Sequence, residues 1–308
     1  LIGPYSSTLT IPIVPIVTDA QVPLIATTAA APPIFNQGSE WVFAGIDLLS
    51  AWPKHYFDMV AAKGEAKTIA FVVGNEPYGQ GLLVGGSKLA HETGLEIVLQ
   101  ETVSPGTKDF TPSIIKLKAL DPDIIFVGLL APDASTFVSQ AHQQGLNPRE
   151  YHVTQLIKPF IESVGSDVAN NITGEWYWTP DLPYSGYYGK TFFIELMERA
   201  DLDNNDHPWA AVHFYALEIL GAALEDAGSL EKPAIQQSLK NLNMLTISGN
   251  VHFSDSDVFK GVGSLTPFPV QLQNGEIQVI WPNDVSDSEY IYPGYNYYVQ
   301  LNVDDSLG

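Results

Sequence analysis

Two short hydroxyl-bearing turns, Ser6-Ser7-Thr8 and Thr27-Thr28, carry side chains whose type and placement could do chemistry. Hydroxyls and free backbone N–H groups in such turns can receive a carboxylate or another polar group. The same residues also serve as plain helix N-caps, and residue type alone leaves both roles open. Tyr78 stands between the apolar run ending at Val73 and the glycine Gly79, a position that suits an aromatic projecting from a strand end into a cleft. Trp176, Tyr177 and Trp178 are consecutive and either line a cleft or fill a core.

Other constellations fall short of a chemistry. Gly79-Gln80-Gly81-Leu82-Leu83-Val84-Gly85 follows a strand and opens a helix, but its third glycine comes one position too late for a dinucleotide fingerprint, so a tight turn with close helix packing is expected. Asp201-Leu202-Asp203-Asn204-Asn205-Asp206 begins like a calcium loop, yet Asp206 stands where glycine is needed and Val212 where a bidentate glutamate is needed. The histidines His55, His91, His142, His152, His207, His213 and His252 include no pair spaced for zinc on one helix face. There is no G-x-S-x-G elbow, no S-x-x-K and no Walker loop, and a pair of carboxylates is easily imagined in so acidic a chain. No metal, no cofactor and no catalytic residue is called for.

The elements that must position these residues alternate. Val22 to Ala26, Thr68 to Val73, Leu95 to Gln100 and Asp123 to Gly128 read as strands; the runs from Thr68 and Asp123 are apolar throughout, as in parallel strands covered on both faces. Helical patterns lie over Ile11 to Ala20, Ser50 to Lys63, Gly79 to Thr93, Pro112 to Leu120 and Ala131 to Gln144, the last ending at Gly145 in the position of a left-handed cap. That alternation is the signature of βαβ units and a doubly wound parallel sheet. Tyr187 to Ala200 and Pro208 to Ala227 read as amphipathic helices, Ser248 to Trp281 as short strands and turns, and Tyr290 to Tyr298 as strand or coil laid over a surface. The opening Leu1-Ile2-Gly3-Pro4 reads as the end of a buried strand entering a turn.

The 308 residues suggest two lobes, and 45% hydrophobic against 16% charged residues gives ample apolar surface to bury. With 14 Lys+Arg against 35 Asp+Glu the formal net charge is −21, a field that repels phosphate backbones and anionic headgroups, so neither nucleic acid nor an anionic membrane surface is an expected partner. The absence of cysteine excludes disulfides, thiolate metal sites and a cysteine nucleophile from the chain as given. The apolar stretch from Ile11 to Pro33 is interrupted by Asp19, Gln21 and prolines, so no membrane insertion and no signal peptide is read.

Taken in order, Gly3-Pro4-Tyr5-Ser6-Ser7-Thr8, Val22-Pro23-Leu24-Ile25 with Pro32, Pro77-Tyr78-Gly79-Gln80-Gly81, Lys108-Asp109-Phe110, Pro122-Asp123-Ile124-Ile125 and Gln140 through Gly145 resemble the extracytoplasmic solute-binding proteins of ABC transporters. The likeness is narrower still to the branched-chain amino acid-binding (leucine/isoleucine/valine-binding) group with the type I periplasmic binding protein fold. It implies two α/β lobes joined by three crossovers, residues 1–46 with 180–268 and residues 47–179 with 269–308. It also implies two further βα units ahead of Leu1, about 70 residues at roughly 30 per unit, so the sequence is expected to be a fragment or to have an unobserved start.

By the resemblance, Ser7 matches the serine that binds the ligand carboxylate, Thr28 a neighbour that contacts the ligand through its backbone, and Tyr78 the tyrosine that closes over it. Ala30 stands where a hydroxyl is usual, Leu130 where an aromatic is frequent, and Gln155 where an acidic residue holds the α-ammonium; Tyr5 and Trp176 complete the candidate set. A buried ammonium without its carboxylate costs about 3–5 kcal/mol, so an amide, urea or aromatic or aliphatic carboxylate fits better than a zwitterionic amino acid. The implied activity is non-enzymatic: capture of a small-molecule ligand by hinge closure and delivery to an ABC transporter permease, in a periplasmic or extracellular setting with a lipid anchor upstream as one arrangement. A sensor or amide-type regulator on the same fold, and a cleft hydrolase using Asp or Glu, are the alternatives.

Overall fold

The computed structural model describes residues 1–202, 208–255 and 260–295. In chain order the strands are β1 (Leu24–Ala26), β2 (Val42–Ile46), β3 (Thr68–Gly74), β4 (Glu96–Val103), β5 (Ile124–Gly128), β6 (Glu150–Val153), β7 (Thr173–Trp176), β8 (Asn243–Thr246), β9 (Gly249–His252), β10 (Ser254–Asp255), β11 (Lys260–Leu265), β12 (Phe268–Gln273) and β13 (Glu276–Val279). The chain divides into two compact units, the first Leu1–Trp52 with Trp176–Pro267, the second Pro53–Glu175 with the chain from Phe268 on.

The first unit is built on the sheet β1-β2-β11-β10, parallel from β1 to β2 and from β2 to β11, with β10 antiparallel at the edge. Ile2 bridges Ile25 in parallel, with Gly3 N donating to Ile25 O and Ile25 N to Leu1 O at 2.9 Å each. The pairing expected of a strand end is present but the burial is not: Leu1 and Ile2 are exposed, because among the described residues they are paired on one side only. The helix expected over Ile11 to Ala20 is instead Ser7–Thr10, a 3-10 turn Ile11–Ile13, and Val14–Asp19. Pro12 and Pro15 have no N–H to give an α-helical ladder, which accounts for the interruption. Val14, Val17, Leu24, Ala26, Ile34, Phe35, Val42 and Ala44 form the core under this sheet. Helix Pro208–Ala227 packs so closely on β2 that a Cβ at Gly45 would lie 2.9 Å from the Tyr215 ring.

The second unit is built on the sheet β13-β12-β7-β6-β5-β3-β4, in which β4, β3, β5, β6 and β7 run parallel and β12-β13 is an antiparallel hairpin. Helices Lys54–Lys63, Pro77–Glu92, Thr111–Leu120 and Ala131–Gln143 intervene. Ile69–Val73 and Ile124–Val127 are wholly buried, as their unbroken apolar runs require. Gly86 lets helix Pro77–Glu92 close onto β3, where a Cβ would come within 2.7 Å of the Phe71 ring. Strands β2, β6 and β7 are not anticipated by the sequence. In β6 and β7 the buried polar side chains of Glu150, His152, Thr173 and Glu175 break up the apolar signal.

The units divide at 52/53, 175/176 and 267/268 rather than at 46/47, 179/180 and 268/269. Asp47 and Leu49 stay with the first unit because their N–H groups donate to Leu265 O and Ala30 O, at 2.9 and 3.0 Å. Tyr177 packs on Trp52 and Trp209, and Trp178 on Phe193, all within that unit. Within 290–295 the tail lies over the second unit without regular structure: Gly294 N and Tyr295 N donate to Arg149 O, and Tyr295 meets Tyr151 edge-on. Residues 296–298 of the tyrosine-rich tail and 203–206 of the acidic turn lie outside the described residues. No helix among the described residues is long and apolar enough to cross a membrane.

Candidate functional site

In the second unit β3, β5 and β6 are neighbours, and the residues that follow their carboxyl ends converge. After β3, Glu76 caps helix Pro77–Glu92, its carboxylate accepting from Tyr78 N at 2.6 Å and Gly79 N at 3.0 Å. Burial pushes this carboxyl above its ordinary value and Asp133 adds to the push, while the two N–H groups pull it down. Gly79 packs under the strand end, where a Cβ would lie 2.3 Å from Gly74 O. The glycine cluster is therefore a tight turn closed by a carboxylate, and Glu76 already occupies N–H groups that a phosphate would need.

That turn sets Tyr78 half-buried in the first helical turn. Its hydroxyl donates to Thr154 Oγ1 at 2.8 Å and accepts from Gln155 Nε2 at 3.0 Å. Thr154, immediately after β6, sends both its N–H and its hydroxyl to Val127 O on β5, at 3.2 Å each. One continuous hydrogen-bonded chain thus ties three strand ends together. Leu130, after β5, is exposed at the start of helix Ala131–Gln143. The sequence singles out Tyr78, Leu130 and Gln155, but it misses Thr154; the one signal that could have found it is a hydroxyl directly after a strand and next to Gln155.

In the first unit the structure separates hydroxyls that residue type could not. Ser6 is the helix cap, its Oγ accepting from Leu9 N at 3.3 Å. Ser7 is not: its Oγ accepts from Ala31 N at 3.2 Å, tying the first turn to the segment after β1. Thr28 donates to Tyr5 O, a second tie between the same two segments. Thr27 is fully buried with its hydroxyl unpaired among the described residues, and Ala29, Ala30 and Ala31 are fully buried. Tyr5 is exposed, with its ring 6.3 Å from that of His213. Burial lowers the His213 ring below its ordinary value. Trp176, at the end of β7, is buried, as are Tyr177 and Trp178. Ser7, Thr28, Ala30 and Tyr5 are thus gathered in one unit and Tyr78, Gln155 and Leu130 in the other, each group at carboxyl ends of parallel strands, where open α/β sheets bind ligands.

A model of the Periplasmic binding protein family matches residues 1–263. The leucine-, isoleucine-, valine-, threonine-, and alanine-binding protein of Pseudomonas aeruginosa is 23% identical over 267 residues, 84% of this chain and 68% of that protein. The chain spans 40% and 49% of the length of two other curated relatives. Among solved structures, the leucine-binding protein LivK of Thermotoga maritima matches with a TM-score of 0.80 at 19% identity, over 92% of this chain and 80% of that one. The solute-binding protein of an ABC transporter from R. palustris, in complex with benzoate, matches with a TM-score of 0.76 at 16% identity, over 96% of this chain and 76% of that one. These likenesses show the fold: the parallel-sheet α/β architecture is that of type I periplasmic binding proteins.

Proposed function

The chain belongs to the periplasmic binding protein family, and from that premise we propose that it acts as an extracytoplasmic receptor that captures a small organic solute and delivers it to the permease of an ABC importer. The observation that carries the reading is the placement of polar and small side chains at the carboxyl ends of parallel strands in both units: Ser7 and Thr28 in the first, Tyr78 and Gln155 in the second. A ligand that engages both sets stabilises the hinge-closed state by its differential affinity for that state, and the permease reads the closed state. The process involves no chemical turnover.

The ligand class follows from what the residues can hold. Gln155 is nearly fully buried and uncharged, so an α-ammonium beside it would forgo a charge-assisted bond, a loss of about 3–5 kcal/mol. Ala30 adds no hydroxyl, and Leu130 offers an apolar surface. An amide, a urea or an aromatic or aliphatic carboxylate suits this set better than leucine or valine. Both kinds of ligand are named among the relatives, amino acids in the Pseudomonas aeruginosa protein and benzoate in the R. palustris complex.

A thermal-shift screen of the intact protein tests the proposal, with branched-chain amino acids, amides, urea and aromatic carboxylates as probes. A ligand at one hundred times its Kd stabilises by about 2.7 kcal/mol. The expected result is a shift with uncharged or carboxylate-only compounds, and a gain of leucine or valine binding in Gln155→Glu. A wild-type response to amino acids, with no gain in the variant, would show that Gln155 does not set the ligand class.

A further inference from the structure

Within the second unit, the residues that follow β13 and the last turn of helix Lys54–Lys63 enclose a cavity of about 450 Å³. Tyr290 lines it and fixes where it lies, because the Tyr290 hydroxyl donates to Glu150, the first residue of β6. Thr154 and Gln155 follow the other end of that strand. At about 3.3 Å per residue, Glu150 and Thr154 are roughly 13 Å apart, so the cavity and the candidate site stand at opposite ends of β6.

The floor is apolar: Met59 and Ile280 are 2% and 3% exposed. Trp281 and Tyr290, both half-buried, add two aromatic rings. The Tyr290 hydroxyl is spent on Glu150, so what Tyr290 brings to the cavity is its ring. An apolar floor, aromatic walls and a few polar groups at this volume are the make-up of a small-molecule site.

The polar groups are mostly of one kind. Ser288 donates its hydroxyl proton to Gln273 Oε1 at 2.9 Å, and Ser286 sends its own toward Asn283 O at 3.5 Å, so both oxygens offer the cavity lone pairs. Glu289 is exposed at the rim, and its carboxylate accepts from no described residue. The Asn283 carboxamide can offer either a donor or an acceptor. Lys63 is the one cation of the lining, and its Nζ lies 3.5 Å from Glu65 Oε1, where its charge is met. Asp284 and Asp287 belong to the same loop, and the whole chain carries a net −21. The negative end of helix Lys54–Lys63 adds to that field. Aromatic rings attract a cation over their faces, and acceptors attract one that carries N–H groups.

We propose that this cavity is a second binding site, separate from the solute site, for a small organic cation: a primary ammonium on an apolar or aromatic stem. The stem lies against Met59, Ile280 and the Trp281 ring, and the N–H donors go to Glu289 and Ser288. The proposal does not rest on the receptor reading, because none of these residues belongs to the candidate site.

An NMR titration of the full chain tests it, read at the Trp281 indole N–H signal, which is assigned by its absence from Trp281→Phe. The probes are phenethylamine and its near-isosteric anion hydrocinnamate. The amine should shift the signal saturably and the anion should not. Glu289→Gln should weaken the amine about two- to fivefold, the range of an exposed charge pair. Lys63→Gln removes the opposing charge and should leave binding as tight or tighter. Both substitutions fall on exposed side chains and keep the fold. Tyr78→Ala should leave this titration unchanged while it weakens solute binding, so the two sites are read separately. An amine that does not move the signal, an anion that moves it as strongly, an affinity unchanged in Glu289→Gln, or a titration abolished by Tyr78→Ala overturns the proposal. None of these outcomes touches the receptor reading.

Discussion

Two buried carboxylates, one in each unit, are satisfied by different kinds of donor. Glu218, on helix Pro208–Ala227, accepts from the backbone: Tyr187 N and Tyr188 N on Oε1 at 2.6 and 2.9 Å, and Ile247 N on Oε2 at 3.0 Å. Glu150, on β6, accepts from side chains: Tyr56 OH at 2.7 Å, Thr173 Oγ1 at 2.8 Å, and Tyr290 OH. The candidate site repeats the contrast. Ser7 and Thr28 are tied to the backbone of Ala31 and Tyr5, while Tyr78 and Gln155 are tied to each other and, through Thr154, to Val127. A backbone N–H can only donate, so it fixes its partner as an acceptor. A hydroxyl can reverse, so the polarity of a side-chain cluster depends on whichever member is anchored to the backbone. In the second unit Thr154 is that member.

The largest test of this difference is at Glu218. Glu218→Gln leaves one acceptor oxygen where two are used and turns an NH2 toward a backbone N–H. A buried donor left unsatisfied costs about 1–3 kcal/mol, so urea unfolding should show a loss of roughly 1–3 kcal/mol. At Glu150→Gln the three hydroxyls can rotate to suit the amide, and the change at neutral pH should stay within about 1 kcal/mol. Equal losses would erase the distinction between the units. Smaller in free energy is Tyr78→Ala, which removes the centre of the side-chain chain. Binding of whichever ligand the screen identifies should weaken at least tenfold, about 1.4 kcal/mol, by isothermal titration, and an unchanged affinity would remove Tyr78 from the site.

The same contrast explains which parts of the molecule were legible in the sequence. The strands β3 and β5 are unbroken apolar runs, and the helices that follow them carry ordinary start and stop signals, so the doubly wound class was readable from Thr68 to Gly145. Strands β6 and β7 were not, because buried Glu150, His152, Thr173 and Glu175 look like surface residues until the groups that accompany them are seen. The hydroxyl turns were visible as candidates, but only three-dimensional contacts assign the cap to Ser6 and the tie to Ser7. Tyr78 was a candidate from its place after a strand end and Gln155 only through the family likeness; the two lie 77 positions apart, and nothing local announces that Thr154 joins them.

The smallest and most selective effect is in pH dependence. Burial pushes the Glu150 carboxyl above its ordinary value of 4.5, against the hydroxyls of Tyr290, Tyr56 and Thr173 and the His152 ring, which pull it down. Such a group holds its proton in the folded state at pH values where the unfolded chain has released it. Its contribution therefore favours folding as pH falls through the raised value, is complete below about 4.5, and is lost as pH rises through that window. Glu150→Gln carries no charge to bury, so relative to wild type it should gain stability as pH rises above the Glu150 value and lose that advantage as pH falls toward 4.5. Glu218 is also raised by burial, but Glu218→Gln sacrifices backbone hydrogen bonds at every pH and should remain less stable than wild type throughout. Melting series of the three proteins from about pH 4 to about pH 8 would decide the matter: parallel curves for wild type and Glu150→Gln would mean that the side-chain cluster holds Glu150 no differently from an exposed carboxylate.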